Sequence, residues 1–383
     1  MFLRLSEHFI PKILENYYFL NKKTDDLYEV DKDAFDLLIS LKDGKPPELV
    51  QAKKTFINKL IRLGFIGFSE KKIQRKLKLV PAPVPSLRYL EVQLTSKCNL
   101  TCRHCYQGVK KDYELPFDML KKILDEFVEL QGIRLLLSGG EPLLYSKFGE
   151  LNKFLKNYPA YVVLLTNGTL INEKNLSKLT YIDEIQFSID GLEESHDYLR
   201  GTGSFARMIK AVNIIKAKTD KAVSFATMVH KKNLRDFPKL SRIIKSFGAR
   251  EWGMDYPVFT GFFKNNKELY PTPEEALKAM KYKFGTSYHS TNENNDLACG
   301  AHLMTLLPDG TFVPCGFYLD RIFGHINTGL KNAVNNRHIY KLSDILDCMD
   351  CEYLYNCRGG CRFRAGSTEK KDEFMCYIYG RKI

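Results

Sequence analysis

The chain has 383 residues, of which 44% are hydrophobic and 27% are charged. This length allows one large domain and one or two small ones, and the composition is that of a globular protein rather than a disordered one. No apolar run approaches the roughly 18 residues of a membrane span, and the first residues lack the apolar core of a signal peptide. The sequence therefore predicts a cytoplasmic protein without a membrane partner.

The formal net charge is +13. A basic surface of this size favours acidic partners. Lysine and arginine are spread along the whole chain, however, and no zinc-finger or RNA-recognition motif accompanies them. The charge is therefore interpreted as a solvated basic surface, and no nucleic-acid partner is predicted.

The first 75 residues predict a small unit of strands and helices. Tyr17–Leu20 and Leu27–Val30 are typical of two strands joined by a polar turn. Asp31 is placed to cap a helix directly after them, and a second helix is predicted to carry Leu49 and the apolar residues that follow it. The unit resembles a winged-helix module. A basic stretch at residues 71–78 and three prolines after it are interpreted as an extended linker.

From residue 88 to 258, strand-like and helix-like segments alternate. The predicted strands are Tyr89–Leu94, Ile133–Leu137, Tyr161–Leu165, Glu184–Ile189, Ala222–Val229 and Glu251–Met254. Six consecutive strand–helix units imply an α/β fold with a parallel sheet, either an open doubly wound sheet or a partial barrel. In both architectures the functional residues gather at the carboxyl ends of the strands.

The ten cysteines are grouped rather than scattered. Cys98, Cys102 and Cys105 follow the first predicted strand, residues 106–298 contain no cysteine, and the other seven come after. Grouped cysteines in an intracellular chain indicate metal ligands rather than a disulfide framework. The spacing x3 and x2 can place three thiolates at three corners of an iron–sulfur cubane and leave its fourth iron open. The alternatives are a zinc site or cysteines packed in the core.

Polar motifs follow the next three strands. They are Ser138–Pro142, Thr166–Gly168 and Ser188–Gly191. Paired glycines allow a ligand to approach the backbone closely, and Glu141 suits an ammonium group. The hydroxyl, amide and carboxylate groups suit a ribose, and Arg200 can pair with a carboxylate.

The cysteine triplet, the Gly-Gly-Glu-Pro motif and the motif at Ser188 together resemble the radical S-adenosylmethionine (radical SAM) superfamily over residues 88–258. In that family the cofactor chelates the open iron of a [4Fe–4S] cluster, and one electron splits it into methionine and a 5′-deoxyadenosyl radical. The resemblance implies that the triplet binds this cluster. It also implies cofactor contacts from His104, Tyr106, Gly139, Gly140, Glu141, Asn167, Ser188, Arg200, Met228 and Val229.

The seven remaining cysteines are Cys299, Cys315, Cys348, Cys351, Cys357, Cys361 and Cys376. A zinc ribbon would account for the pair Cys348-x2-Cys351 alone. The full spacing resembles the SPASM extension of radical SAM enzymes, which binds two auxiliary [4Fe–4S] clusters. By that resemblance one cluster is held by Cys348, Cys351, Cys357 and Cys376. The other is held by Cys299, Cys315 and Cys361.

The second auxiliary set is one cysteine short. The chain has no spare cysteine, so either one iron stays open and can take a substrate thiolate, or His302 closes the cluster. With the cluster at the triplet, the resemblance implies three [4Fe–4S] clusters in all.

The N-terminal unit also resembles the leader-peptide recognition domains of peptide-modifying enzymes, which bind a leader by adding a strand to a sheet edge. Between Gly44 and Gly64 there is room for barely one helix where two are usual, and a purely structural cap is the alternative. The predicted function is a maturase that crosslinks or epimerises a ribosomally made peptide. The crosslink is a thioether or a carbon–carbon bond, and the electron donor is a flavodoxin or ferredoxin.

Two other enzyme classes remain open. A sulfatase-maturase-like enzyme would carry an aspartate general base after the second SPASM cysteine, but Gly316 follows Cys315. A small-molecule enzyme of cofactor or haem biosynthesis is the other class, and no catalytic acid or base is assigned. The predicted domains are a winged-helix-like unit (1–75), a partial (β/α)6 TIM-like barrel (86–262), a bridging segment (263–298) and a SPASM domain (299–383).

Overall fold

The computed structural model describes residues 2–45, 54–70, 79–108, 111–285 and 296–380. The strands in these ranges are β1 (Phe2–Leu5), β2 (Phe9–Ile13), β3 (Tyr17–Asn21), β4 (Asp26–Val30), β5 (Ile66–Ser69), β6 (Tyr89–Gln93), β7 (Arg134–Ser138), β8 (Tyr161–Thr166), β9 (Glu184–Ser188), β10 (Ala222–Met228), β11 (Glu251–Asp255), β12 (Leu303–Leu306), β13 (Thr311–Val313) and β14 (Gly324–His325).

The helices in the same ranges are α1 (Lys32–Ser40), α2 (Lys54–Arg62), α3 (Phe117–Glu129), α4 (Phe148–Phe154), α5 (Glu193–Arg200), α6 (Ser204–Lys218), α7 (Phe237–Ser246), α8 (Pro273–Met280), α9 (Leu330–Asn336), α10 (Leu354–Cys357), α11 (Arg362–Ala365) and α12 (Glu373–Ile378). Among the described helices, none is long and apolar enough to cross a bilayer.

The N-terminal unit is built around the predicted hairpin. Strands β3 and β4 pair antiparallel, and the helix α1 begins where predicted, with the Asp31 carboxylate accepting a hydrogen bond of 2.7 Å from the backbone N–H of Ala34. β2 completes a sheet of order β2-β3-β4, and β1 pairs with β5. The sequence did not predict β1, β2 or β5. Leu49, assigned to the second helix, lies outside the described residues.

The central sheet confirms the six predicted core strands, each within one residue at either end. Strands β6 to β11 run parallel and stand in chain order. α-Helices lie on each connection except the one between β8 and β9, which carries the 3-10 helix Glu173–Leu179 instead of the predicted α-helix. Their side chains alternate between two sides, and Leu90, Val92, Leu135, Leu137 and Ile185 lie in the main hydrophobic core. The motifs that follow these strands therefore meet at one end of the sheet.

The cysteine-rich segment adds strands to the same sheet. β12 pairs parallel with β6, through Leu303 opposite Tyr89, and β13 and β14 continue antiparallel. Within the described residues the sheet order is β11-β10-β9-β8-β7-β6-β12-β13-β14, so the sheet is mostly parallel and has two free ends. The predicted boundary at residue 299 thus separates residues that share one sheet.

The N-terminal unit docks at the amino ends of the core strands. Its apolar contacts join Leu14, Tyr18 and Leu20 to Ile133, Tyr161 and Val163. The Lys12 ammonium donates to the carbonyls of Gly132 (2.6 Å) and Pro159 (2.8 Å), and burial lowers the pKa of Lys12 to about 7. This unit therefore lies at the end of the sheet opposite the polar motifs.

Candidate active site

A cavity of about 430 Å³ opens at the carboxyl ends of the parallel strands. It is lined by eight of the ten predicted cofactor contacts, which are His104, Tyr106, Gly139, Gly140, Asn167, Ser188, Arg200 and Met228. Cys98, Cys102 and Cys105 lie in the same wall, and Cys315 joins them from the C-terminal segment. The topology of the sheet thus brings together residues that are more than 200 positions apart.

The two glycines of the second motif hold the chain that leads into the triplet. The backbone N–H of Gly140 donates to the Thr95 carbonyl (2.8 Å), and that of Glu141 donates to the Lys97 carbonyl (2.8 Å). A Cβ added at Gly140 would lie 2.3 Å from the Lys97 carbonyl oxygen. Glycine is therefore required here for the contact between two loops, besides any approach of a ligand to the backbone.

Glu141 and Val229 are the predicted contacts that do not line the cavity. The Glu141 carboxylate is fully buried and accepts hydrogen bonds from the Thr166 hydroxyl (2.8 Å) and the Asn167 backbone N–H (3.0 Å). Burial raises the pKa of Glu141 to about 7, although those bonds oppose the shift. Glu141 therefore positions the next motif, and Val229 packs in the core.

A buried ion pair stands beside the cysteine triplet. The Arg200 Nε donates to the Asp190 carboxylate over 2.5 Å, and the Met228 backbone N–H donates to the other carboxylate oxygen over 2.8 Å. Burial alone would raise the pKa of Asp190, but Arg200 and His104 outweigh it and hold the pKa well below its usual range. Asp190 is thus a carboxylate that keeps the Arg200 guanidinium in place.

Arg200 also acts on the cysteines. The neighbouring guanidinium favours the thiolate form of Cys102, whereas burial raises the pKa of Cys102 to about 11 and Cys98 and Cys105 add to that shift. Three thiols with one cation beside them match the donor set of an iron–sulfur cluster whose open iron takes an anionic ligand. The residues present therefore fit a cluster and a cofactor carboxylate.

Two histidines near Asp190 were not predicted. His196 accepts a hydrogen bond of 3.1 Å at Nδ1 from the Asp190 backbone N–H, and His230 Nε2 lies 3.2 Å from the Asp190 carbonyl. Burial lowers the pKa of His196 to about 4 and also lowers that of His230. Both are therefore neutral in the structure. The only sequence signal was the placement of His196 on the helix that leads to Arg200.

The C-terminal cysteines fall into two groups. Cys348, Cys351, Cys357 and Cys376 line a small cavity of about 20 Å³. Cys315 and Cys361 act electrostatically on Cys299, so these three thiols are neighbours as well. In the described residues, no three His, Cys, Asp or Glu side chains converge closely enough to hold a single metal ion.

Tyr106 lies near both Cys105 and Cys315, since both thiols act electrostatically on it. Its hydroxyl accepts a hydrogen bond of 2.9 Å from the Gln93 amide, and its ring meets Phe317 edge-on at 5.6 Å between centroids. A Cβ at Gly316 would lie 3.1 Å from the Tyr106 ring. A larger side chain after Cys315 would therefore press on Tyr106.

His302, the alternative fourth ligand, contacts the linker. Its Nδ1 lies 2.8 Å from the Ser86 carbonyl oxygen, and its own carbonyl accepts hydrogen bonds from the backbone N–H groups of Arg88 and Tyr89. Because this contact occupies Nδ1, His302 could bind a metal only through Nε2.

Arg200→Ala is expected to lower the affinity for S-adenosylmethionine by about tenfold to a hundredfold, or about 1.5–3 kcal/mol, because the predicted charge-assisted contact to the cofactor carboxylate would be lost. Equilibrium dialysis measures this dissociation constant. Arg235→Ala is the matched control, since the Arg235 side chain is 69% exposed and pairs with the exposed Glu194. Unchanged affinity in Arg200→Ala would exclude the carboxylate contact.

Comparison with known proteins identifies the family of the chain. Residues 92–244 match the family described as the Radical SAM superfamily. An uncharacterized protein from Methanocaldococcus jannaschii is 30% identical over 207 residues, which cover 51% of this chain and 71% of that protein. The chain belongs to the radical SAM superfamily. It is accordingly an enzyme that uses S-adenosylmethionine and a [4Fe–4S] cluster.

Several radical SAM relatives with named activities extend over most of the chain. The AdoMet-dependent heme synthase of Methanosarcina barkeri is 27% identical over 344 residues, covering 77% of this chain and 98% of that protein. The mycofactocin maturase MftC of Mycobacterium tuberculosis is 26% identical over 306 residues, covering 70% and 76%. Relatives with different activities thus share the core.

Among solved structures, Streptococcus suis SuiB bound to the precursor peptide SuiA superposes with a TM-score of 0.68 at 15% identity. The match covers 98% of this chain and 99% of SuiB. An alignment of this extent includes the N-terminal unit, so the two chains are similar in fold over most of their length.

Proposed function

We propose that this radical SAM enzyme is a maturase that modifies a ribosomally made precursor peptide by crosslinking or epimerisation. The observation that carries the proposal is an exposed sheet edge on a unit that is fixed to the radical SAM core. Strand β4 pairs only with β3 among the described residues, and Asp26, Glu29 and Tyr28 on it are exposed. An edge of this kind can accept an added peptide strand.

The named relatives support a peptide substrate. One is a mycofactocin maturase, and the PqqA peptide cyclase of Gluconobacter oxydans is 24% identical over 319 residues. The N-terminal unit (1–75) is accordingly proposed to be a winged-helix-like leader-recognition domain. The core (86–262) is proposed to be a partial (β/α)6 barrel, joined by the segment 263–298 to a SPASM domain (299–383).

The proposed ligands follow the three groups of thiols. Cys98, Cys102 and Cys105 would hold the cluster that binds the cofactor. The C-terminal sets would hold two auxiliary clusters, one through Cys348, Cys351, Cys357 and Cys376 and the other through Cys299, Cys315 and Cys361. Once bound, the first cluster and S-adenosylmethionine supply a carbon radical that can remove a hydrogen atom from the substrate.

The chain's own residues position the cofactor and keep out water. Arg200, held by Asp190, would take the cofactor carboxylate, and the carbonyls at Gly139 and Gly140 would take its ammonium group. Asn167 and Ser188 would contact the ribose, and His104 and Met228 would flank the adenine. Tyr106 lies in the same wall, between this site and Cys315. A flavodoxin or ferredoxin is proposed as electron donor.

Binding of a leader by β4 is expected to depend on alternate backbone N–H groups of the peptide, because successive residues of an added strand point their N–H groups to opposite sides. The probe is a candidate precursor peptide with its leader, labelled with a fluorophore and titrated with the full-length chain. N-methylation at every second leader residue should weaken binding at least about tenfold, since two lost hydrogen bonds cost about 1.4 kcal/mol or more. N-methylation at the residues between serves as the control.

Modification of the peptide is the second measurement of the same experiment. The reconstituted enzyme, reductant and cofactor should remove two hydrogen atoms for a crosslink, or exchange one hydrogen with solvent for an epimerisation. A chain that binds and changes no peptide would contradict the proposal. The heme-synthase relative, which this chain matches over 98% of its length, then favours a tetrapyrrole substrate, detected by a change in its absorption spectrum.

A further inference from the structure

Asp255 is a carboxylate of the cavity that the cofactor motifs do not use. It is the last residue of β11, and in the sheet register it stands opposite Met228 of β10. Side chains opposite each other on neighbouring strands share one face of the sheet. Both residues line the cavity, so Asp255 faces the space in which a cofactor and a substrate would meet.

The other carboxylates of the cavity already have partners. Glu91 accepts hydrogen bonds from the hydroxyls of Ser138 (2.6 Å) and Thr305 (3.0 Å), and Asp190 is held by Arg200. Throughout the part of the chain that the structure describes, no hydrogen bond or ion pair reaches the Asp255 carboxylate. It is therefore available to a bound molecule.

The residue after Asp255 is available as well. Tyr256 lines the cavity, and its hydroxyl is buried without a hydrogen-bond partner among the described residues. Its ring contacts Phe374 of α12 at 4.5 Å between centroids, next to the helix turn that carries Cys376. Asp255 and Tyr256 thus form a polar pair between the triplet and the C-terminal cysteines.

Charges around Asp255 favour a group that binds and releases a proton. The Asp255 side chain is exposed to the cavity, and desolvation by the protein around that cavity raises its pKa. The carboxylates of Asp190, Glu251 and Glu91 add to the shift, while Lys283 opposes it. A carboxyl group whose pKa lies nearer to neutral is a better general base than an ordinary aspartate, because both protonation states are then accessible.

The position that follows Cys315 offers no competing base. Gly316 packs against Tyr106 and Gln93, and a Cβ there would lie 3.2 Å from the Gln93 amide nitrogen. An acidic side chain at this position would therefore require the Tyr106 or Gln93 side chain to move. Asp255 lies in the wall of the same cavity and has no such obstruction.

We propose that Asp255 is the catalytic base that removes a proton from the peptide during crosslinking, an inference that rests on the proposed maturase function. One C–H bond and one X–H bond of the peptide break, where X is sulfur or carbon, and one C–X bond forms. The hydrogen atom of the C–H bond goes to the radical that the cofactor supplies. The proton of the X–H bond goes to the Asp255 carboxylate, and the remaining electron goes to a bound iron–sulfur cluster.

The test separates removal of the hydrogen atom from removal of the proton. Reconstituted full-length Asp255→Asn is supplied with S-adenosylmethionine, dithionite and the same candidate precursor peptide in deuterated form. Deuterium transfer into 5′-deoxyadenosine should stay within about threefold of the wild type, whereas crosslinked product should fall about 100-fold or more, the usual contribution of a general base. Asp309→Asn, at an exposed position, is the matched control and should behave as the wild type.

Two further readouts distinguish a base from a structural residue. Asp255→Glu should recover part of the crosslinking activity that Asp255→Asn loses. The pH at which the crosslinking rate of Asp255→Glu reaches half of its maximum should differ from that of the wild type. Peptide affinity, measured by fluorescence anisotropy, should be the same in all four proteins.

Full crosslinking by Asp255→Asn would overturn the inference and leave the maturase function intact. Equal loss of deuterium transfer and product would also overturn it, since Asp255 would then act on the cofactor or on the fold. A wild-type enzyme that oxidises no peptide would overturn both the maturase function and this role of Asp255.

Discussion

Replacing Cys98, Cys102 and Cys105 by alanine is expected to abolish the reductive cleavage of S-adenosylmethionine. The three thiols line the cavity together with Arg200, and they are the cysteines that stand beside the polar motifs of the core strands. Without them no cluster can pass an electron to the cofactor. The C-terminal cysteines form separate groups in a different part of the chain, so the auxiliary clusters proposed for them should persist.

Iron content measures this separation. With four irons per cubane, the triple variant should fall from about twelve to about eight irons per chain. Cys348→Ala is the matched control, because it removes a proposed ligand from the group of Cys348, Cys351, Cys357 and Cys376, which lines its own cavity. It should lose iron as well but still cleave the cofactor. Cleavage at the wild-type rate by the triple variant would disprove the assignment of the triplet.

The core strands could be predicted because their signal is local. Val162, Val163, Leu164 and Leu165 form one continuous apolar run between polar segments, and such a run in a parallel sheet is buried on both faces. The order of the motifs then follows from topology, since parallel strands deliver their carboxyl ends to one edge. For that reason eight of the ten cofactor contacts named from the sequence, including Asn167 and Ser188, line the cavity.

The strands of the C-terminal segment could not be predicted in the same way. β12 has four residues, and its partner β6 lies more than 200 positions earlier in the chain. A short strand is stabilised by its neighbours in the sheet rather than by its own pattern. β1 could not be predicted for the same reason, since its partner β5 is about 60 residues away.

Side-chain direction was the other limit. Glu141 is in a motif at the correct edge, but nothing in the sequence distinguishes a carboxylate that faces a ligand from one that accepts hydrogen bonds from Thr166 and Asn167. Asp255 is the opposite case, because the structure points to it and the sequence does not. It belongs to no motif, and only its register with Met228 and the occupied partners of Glu91 and Asp190 single it out.

Asp25→Ala is expected to destabilise the docking of the N-terminal unit by about 3–5 kcal/mol, the usual cost of leaving a buried charge without its partner. The Asp25 side chain is 1% exposed, lies in the β3–β4 turn and pairs with Arg134 at the start of β7. Arg250 adds a second guanidinium, with Nη2 3.5 Å from the same carboxylate oxygen. Alanine at position 25 would leave the guanidinium groups of Arg134 and Arg250 at this interface without the Asp25 carboxylate.

Hydrogen exchange of the full-length chain measures the effect on this interface. Amides of β3 and β4 should exchange about 100-fold faster or more in Asp25→Ala, as a loss of about 3 kcal/mol in opening free energy requires. Asp36→Ala is the matched control, because its pair with Lys32 is exposed on both sides and should contribute at most about 0.5 kcal/mol. The amides of β3 and β4 should exchange more slowly in the double variant Asp25→Leu/Arg134→Met than in Asp25→Ala. The double variant also removes the Arg134 guanidinium, which would otherwise be buried without its partner. Equal exchange rates in the wild type and Asp25→Ala would show that the N-terminal unit is held by its apolar contacts alone. A leader bound at β4 would then be coupled to the core through Tyr18 and Leu20 rather than through this ion pair.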